Sequence, residues 1–319
     1  MKRGVIDTLR RALDSVLANW PLLLLRAAEV FLALVVVVGG VLVLAVQLLV
    51  SLGISFRDMP TPESMQEAMV MLAQRWTLAI YSLLIVFGIA LVLMVLHSFV
   101  QAGCARVYAD AERIAGDGVT GPRQRFAVFS MDRFLAGAKS GWWTVFWIYN
   151  LGWGAASIVL LVPLLPTIVA MLVFHDAPQA ALIAGCLGVV VTLFLFLLVA
   201  VVASVWTTRA ITSWAARALN ARAALSDAWA ALRGDLARHV VIALALFVVS
   251  IAGSSFFASF SLFAGLGEAV GRHAGPVMFF TFPLRIVGSL LNAAFSAGMN
   301  AWFLAAYAAL AVESTQPRA

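Results

Sequence analysis

"LSDAWAALRGDLARHVVIALALFVV", residues 225–249, begins as a charged helical pattern and passes into an unbroken apolar one. In its first half Leu225, Trp229, Leu232 and Leu236 recur at i, i+4, i+7 and i+11, one stripe of a helix, while Asp227, Arg233, Asp235 and Arg238 lie off that stripe. Its second half opens an apolar run from Val240 to Leu262, and ~20 such residues suffice to cross a hydrocarbon core. The juncture reads as an amphipathic helix lying at a membrane interface and feeding a membrane span, with Ser226 or Asp227 capping its start.

The rest of the chain has the same character. Of its 319 residues 63% are hydrophobic and only 11% charged, and the mean hydropathy is +1.01, outside the balance of a soluble domain. Six apolar runs stand out, at 27–49, 76–98, 142–162, 180–204, 240–262 and 286–310. The third continues past Pro163 and Pro166 to 174, longer than one crossing, so a proline kink, a tilt or an interfacial turn is expected to absorb the excess. These features predict an all-α polytopic membrane protein, one six-span domain over 1–319 with amphipathic elbow helices and no loop long enough to bury a core of its own. A signal peptide is not expected: the residues after Lys2 and Arg3 are amphipathic, and the apolar run behind them is too long for one.

Lys and Arg set the orientation, because basic residues are retained in cytoplasmic loops. With both termini and the second and fourth loops inside, only Arg57, Arg75, Arg272 and Arg285 of the 21 basic residues fall outside. The expectation is a multi-pass protein of a bacterial inner membrane with cytoplasmic N- and C-termini. The net charge of +6 then reads as topology signal and contact with membrane lipid headgroups, and excludes no more than a nucleic-acid role. Cys104 and Cys186 form neither a disulfide framework nor a metal spacing, and no cofactor or metal is expected. Neither the HExxH of a zinc hydrolase nor the GxxxxGK[ST] of a phosphate-binding loop occurs, and Ser254 and Ser255 have no His at comparable depth, so nothing recommends an enzyme.

The charged preface recurs. Leu9, Leu13, Val16 and Trp20 repeat the four offsets before the first run, and Val128, Met131, Leu135, Ala138 and Trp142 form a looser stripe before the third. The chain thus divides into three units of interfacial helix, outward span, loop and inward span. The stretches "TLRRALDSVLANWPLLLL" (8–25), "QAGCARVYADAERIAGDG" (101–118) and "ALSDAWAALRGDLARHVVIAL" (224–244) together resemble the six-helix membrane domain that precedes the catalytic domain in some bacterial glycerophosphodiester phosphodiesterases, and related stand-alone membrane proteins. That resemblance implies a fold and a membrane location; nothing resembling the catalytic domain is present, so it implies no active site.

Polar residues inside the spans are the candidates for chemistry, being costly in lipid. His97, Gln101, Cys104 and Tyr108 follow one another on one helical stripe; Asn292 and Asn300 share a face of the sixth span, with Asn150 a prospective partner. Each amide also suits plain helix-to-helix bonding. Arg26 and Glu29 are spaced for an ion pair. In the first external loop Met65, Met69, Leu72 and Trp76 predict a short helix that meets the bilayer rather than a soft metal. Two functions fit. One is a non-enzymatic membrane subunit or scaffold, a component of a transport system, docking a cytoplasmic protein through Leu9, Leu13, Trp20, Trp229, Leu232 and Leu236; the same faces also suit simple anchoring. The other is a self-contained transporter or channel for a lipid-like or small amphiphilic substrate, using His97, Gln101, Asn150, Asn292 and Asn300. A homo-oligomer is compatible with either.

Overall fold

The computed structural model of the chain describes residues 3–52, 76–116, 123–173, 177–270 and 274–315. Among them every regular element is helical: α1 (Val5–Ala18), α2 (Pro21–Leu52), α3 (Trp76–Ala115), a 3-10 turn (Arg123–Phe126), α4 (Met131–Val173), α5 (Pro178–Arg217), α6 (Ala221–Gly234), α7 (Leu236–Val270) and α8 (Ala274–Glu313). Six of these, α2, α3, α4, α5, α7 and α8, are long and apolar enough to cross a membrane. The external helix expected around Met65 lies outside the described residues, except for Trp76, which opens α3.

Helix lengths explain where the packing sits. At ~1.5 Å per residue α4, with 43 residues, runs ~65 Å, about twice a hydrocarbon core, so such helices project well beyond the apolar layer. The projecting ends of α3, α5 and α8 gather with α1 and α6 at one end of the bundle, called here the basic end. α8 is its hub, packing against α1, α2, α3, α5 and α7. The most apolar window of α8 is 67% buried, whereas that of α2 is 0% buried. The difference lies in the run "LAAYAALAV", 304–312, whose alanines let neighbouring backbones approach closely, with Ala306, Ala308 and Ala311 fully covered.

The opening stretch of the sequence does contain a break, at Gly234–Asp235, which separates α6 from α7. The expected cap is displaced. Asn220, not Ser226 or Asp227, caps α6, its side-chain oxygen accepting from the Ala223 N–H at 2.9 Å. Ala218, in the left-handed region at φ 55°, turns the chain out of α5 two residues before that cap. The third preface also differs from expectation, being the first turns of α4 itself. The helix continues unbroken through 131–142 despite Gly137 and Gly141, and the Ser140 hydroxyl donates back to Ala136 O at 2.8 Å instead of making a turn. α4 likewise passes through Pro163 and Pro166 without ending, and the Thr167 hydroxyl donates to Pro163 O at 2.8 Å.

The two separate prefaces repeat in sequence but not in orientation. α6 buries its apolar side, Ala224, Leu225, Ala228 and Leu232, and the Trp206 indole on α5 donates to Leu225 O at 2.9 Å. α1 does the reverse. Its buried face is Thr8, Arg11, Ala12, Ser15 and Val16, while Ile6, Leu13 and Leu17 point away from the protein, as does Trp20 just beyond it. A helix that turns its polar side inward needs partners for the polar groups there; on α1 Thr8 and Arg11 have them, while the Ser15 hydroxyl has none among the described residues. The end of α1 is pinned by the fully buried Asn19, whose amide donates to Ser15 O (2.8 Å) and Phe126 O (2.7 Å) and whose oxygen accepts from the N–H groups of Val128 (3.1 Å) and Phe129 (2.9 Å). Asn19→Ala is expected to destabilise by roughly 2–3 kcal/mol, because it strands backbone groups that no other side chain replaces. A midpoint of denaturant unfolding within error of wild type would refute this.

Candidate functional site

Near the basic end of the spans, α2, α3 and α4 bring five polar side chains together. Arg26 and Glu29 lie one turn apart on α2, and the guanidinium Nη1 donates to Glu29 Oε2 at 3.1 Å. The other Glu29 oxygen sits 2.6 Å from His97 Nδ1 on α3. A carboxylate at that distance accepts, so Nδ1 carries the proton. With the ring neutral, Nε2 is an acceptor, and it lies 3.1 Å from the Tyr149 hydroxyl on α4 and 3.5 Å from the Gln101 amide nitrogen. Gln101 closes the loop by accepting from Arg26 Nη2. The ion pair is secluded, Arg26 and Glu29 side chains being 6% and 9% exposed, whereas His97 is 43% exposed and forms the cluster's outward edge.

This arrangement joins one charge pair to a titratable ring and a phenol by a continuous run of hydrogen bonds. It ties α2, α3 and α4 together at one point within the spans. Two further polar atoms remain without a hydrogen-bond partner among the described residues, Arg26 Nε and the hydroxyl of Tyr108, both buried. Cys104 is buried in the same layer as a free thiol; Cys186 is free and exposed.

The remaining candidates are dispersed. Asn150 donates to Met94 Sδ at 3.2 Å and to Phe146 O at 2.8 Å, a helix-to-helix and an intrahelical bond, and its neighbour Tyr149 takes the place in the cluster. Asn300 is exposed, and Asn292 is half-buried with its oxygen unpartnered among the described residues. Of the docking candidates, Trp20, Trp229, Leu236 and, less so, Leu13 are exposed; Leu9 packs partly on the core and Leu232 is buried at 6% exposure. Trp229 stands edge-on to Trp206, ring centroids 5.7 Å apart, with the Arg233 guanidinium over its face.

Sequence reasoning missed Tyr149, and it missed a second knot at the basic end. There Glu112 of α3, 2% exposed, accepts from Arg11 Nε at 2.8 Å and Arg3 Nη1 at 2.5 Å, and Arg11 Nη2 also donates to Gly116 O at 2.7 Å. Burial draws the Arg11 guanidinium below its ordinary range, and Glu112 opposes the shift. Glu313 at the end of α8 accepts from the Arg3 backbone N–H (2.9 Å) and from Arg238 (2.7 Å), which also donates to Thr8 Oγ1 at 3.0 Å. Arg217 pairs with Asp227 at 2.6 Å and donates to Ser314 Oγ at 2.8 Å, where Arg209 also donates at 3.2 Å. The only sequence signal was charge of both signs at the ends of apolar runs, which does not say which groups meet. Among the described residues no group of three or more His, Cys, Asp or Glu is placed to hold a metal ion. Comparison with protein-family models, with curated proteins and with solved structures returned no match, so this site stands on its own geometry.

Proposed function

We propose that this protein is a non-enzymatic integral membrane subunit or scaffold whose basic end, facing the cytoplasm of a bacterial inner membrane, holds a cytoplasmic partner. The observation that carries this is the division of the molecule into a tightly knit end and loosely covered spans. Ion pairs from α1, α3, α5, α6, α7 and α8 converge on the basic end, while the apolar windows of α2, α3, α4 and α5 are 6% buried or less. Rigidity is concentrated where a soluble partner would dock. On that end Trp229 and Leu236 are exposed and the Arg233 guanidinium lies over the Trp229 ring, the mix of aromatic and arginine that dominates binding energy in protein interfaces.

The test is to isolate the tagged protein from its native membrane in mild detergent and identify stoichiometric companions by mass spectrometry, beside a Trp229→Asp, Leu236→Asp variant. Retention of one cytoplasmic protein, reduced at least about tenfold in the variant at equal membrane insertion, is the expected result. A partnerless particle overturns the proposal. Leu232 is not a useful probe, since its burial makes Leu232→Asp a disruption of the fold.

The transporter alternative draws on a different observation, the ionisable cluster of Arg26, Glu29 and His97 within two spans. The amides expected to extend it, Asn150 and Asn300, are respectively bonded elsewhere and exposed. The scaffold is therefore the better supported of the two.

A further inference from the structure

Between α3, the first turns of α4 and the α5–α6 turn lies an open cleft of about 740 Å³, separate from the cluster around His97. Arg106, Arg133, Ser140, Thr144, Trp214 and Asn220 are among the residues that line it. Its size is that of a small-ligand site, and two glycines of α4 shape it. A Cβ at Gly137 would come within 2.6 Å of the Arg106 side chain, and one at Gly141 within 1.9 Å of the Trp214 ring, so both side chains lie against bare backbone.

The polar lining is rich in donors and poor in acceptors. Asp110 is the one carboxylate on the wall, and it is engaged by Arg113 at 2.7 Å from outside the cleft and faces Arg106 at 3.6 Å. The Asn220 oxygen is taken by the Ala223 N–H, which leaves its NH₂ as a donor. Arg106 spends Nη1 on Ala215 O at 3.1 Å, at the end of α5. Arg133 donates from Nη1 to Val128 O at 3.1 Å, and its Nε and Nη2 have no partner among the described residues. Two guanidiniums against one occupied carboxylate leave the cleft cationic, with arginine forks suited to an oxyanion.

Position adds the rest. One turn further along α4, Trp143 and Phe146 stack with centroids 5.3 Å apart, and exposed Trp143 and Trp147 form an aromatic step of the kind that sits at headgroup depth. We infer that this cleft binds a phosphate-bearing ligand at the membrane surface, with Arg133 and Arg106 on the phosphate and the Asn220 amide and Thr144 hydroxyl beside it. Two sources present that chemistry, an anionic phospholipid headgroup and a free phosphate or phosphomonoester.

The experiment uses the full chain in detergent. Native mass spectrometry measures retention of phosphatidylglycerol against phosphatidylcholine for wild type, Arg133→Gln, Thr144→Val and, as an equal-charge control away from the cleft, Arg222→Gln. In parallel, the unfolding midpoint is followed while inorganic phosphate or glycerol phosphate is added. About tenfold weaker phosphatidylglycerol retention in Arg133→Gln, a smaller loss in Thr144→Val and none in Arg222→Gln is the expected result with lipid as the source. A midpoint raised by inorganic phosphate in wild type but not in Arg133→Gln supports the site with a soluble ligand. Equal behaviour of Arg133→Gln and Arg222→Gln in both arms overturns it.

Discussion

Glu29→Ala is expected to destabilise the protein by about 3–5 kcal/mol, the usual consequence of removing one member of a buried ion pair. Arg26 sits in the first turns of a span at 6% side-chain exposure, and without Glu29 its charge keeps only the Gln101 oxygen in the cluster. The same change deprives His97 Nδ1 of its acceptor. Unfolding midpoints in detergent measure the loss. The decisive comparison is the double variant Glu29→Ala, Arg26→Met, which takes the stranded charge away and is expected to recover most of the stability, because an apolar replacement of a buried pair is often neutral. A Glu29→Ala midpoint indistinguishable from wild type would show that Glu29 contributes no stability here, and a double variant worse than the single one would show that Arg26 is not a stranded charge but is held by Gln101 alone.

The second large effect is expected from Glu112→Ala, at about 3 kcal/mol. Glu112 is the carboxylate on which two guanidiniums from the N-terminal segment converge, so its removal acts on α1 first. α1 is a poor candidate for recapture by other means, since the face it turns to the protein is Thr8, Arg11 and Ser15 rather than leucine. Hydrogen exchange should therefore show protection lost along 5–18 while α4 and α5 remain protected. Uniform loss across all helices would instead make Glu112 part of the global core.

Much of this architecture was legible beforehand, for a physical reason. A span must be ~20 apolar residues long whatever its neighbours do, so the six runs declare themselves without knowledge of contacts. Arg26 and Glu29 were readable as a pair because one turn of helix brings them together. What was not legible depends on rotation about a helix axis. The offsets of Leu9, Leu13, Val16 and Trp20 match those of Leu225, Trp229, Leu232 and Leu236, yet α6 packs its leucines inward and α1 packs its arginine inward. Periodicity reports that two faces differ, and the choice of which is covered is made by partners such as Glu112, 101 residues from Arg11. Tyr149 illustrates the same limit. Asn150 next to it is the more polar residue and attracted notice, but ~100° of helical rotation separates the two, and Tyr149 is the one that meets His97.

The central position of α8 has a consequence for how the molecule comes into being. Among the described spans α8 comes last along the chain, so α2, α3, α5 and α7, which pack on it, are made before it. Arg3 and Arg238 reach Glu313 only after α8 has emerged, the first of these across a sequence separation of 310 residues. Until then the N-terminal segment lacks the carboxylate that the Arg3 backbone N–H donates to. The contacts that the hub makes thus form after the helices they join, which makes its packing a late event among the described spans.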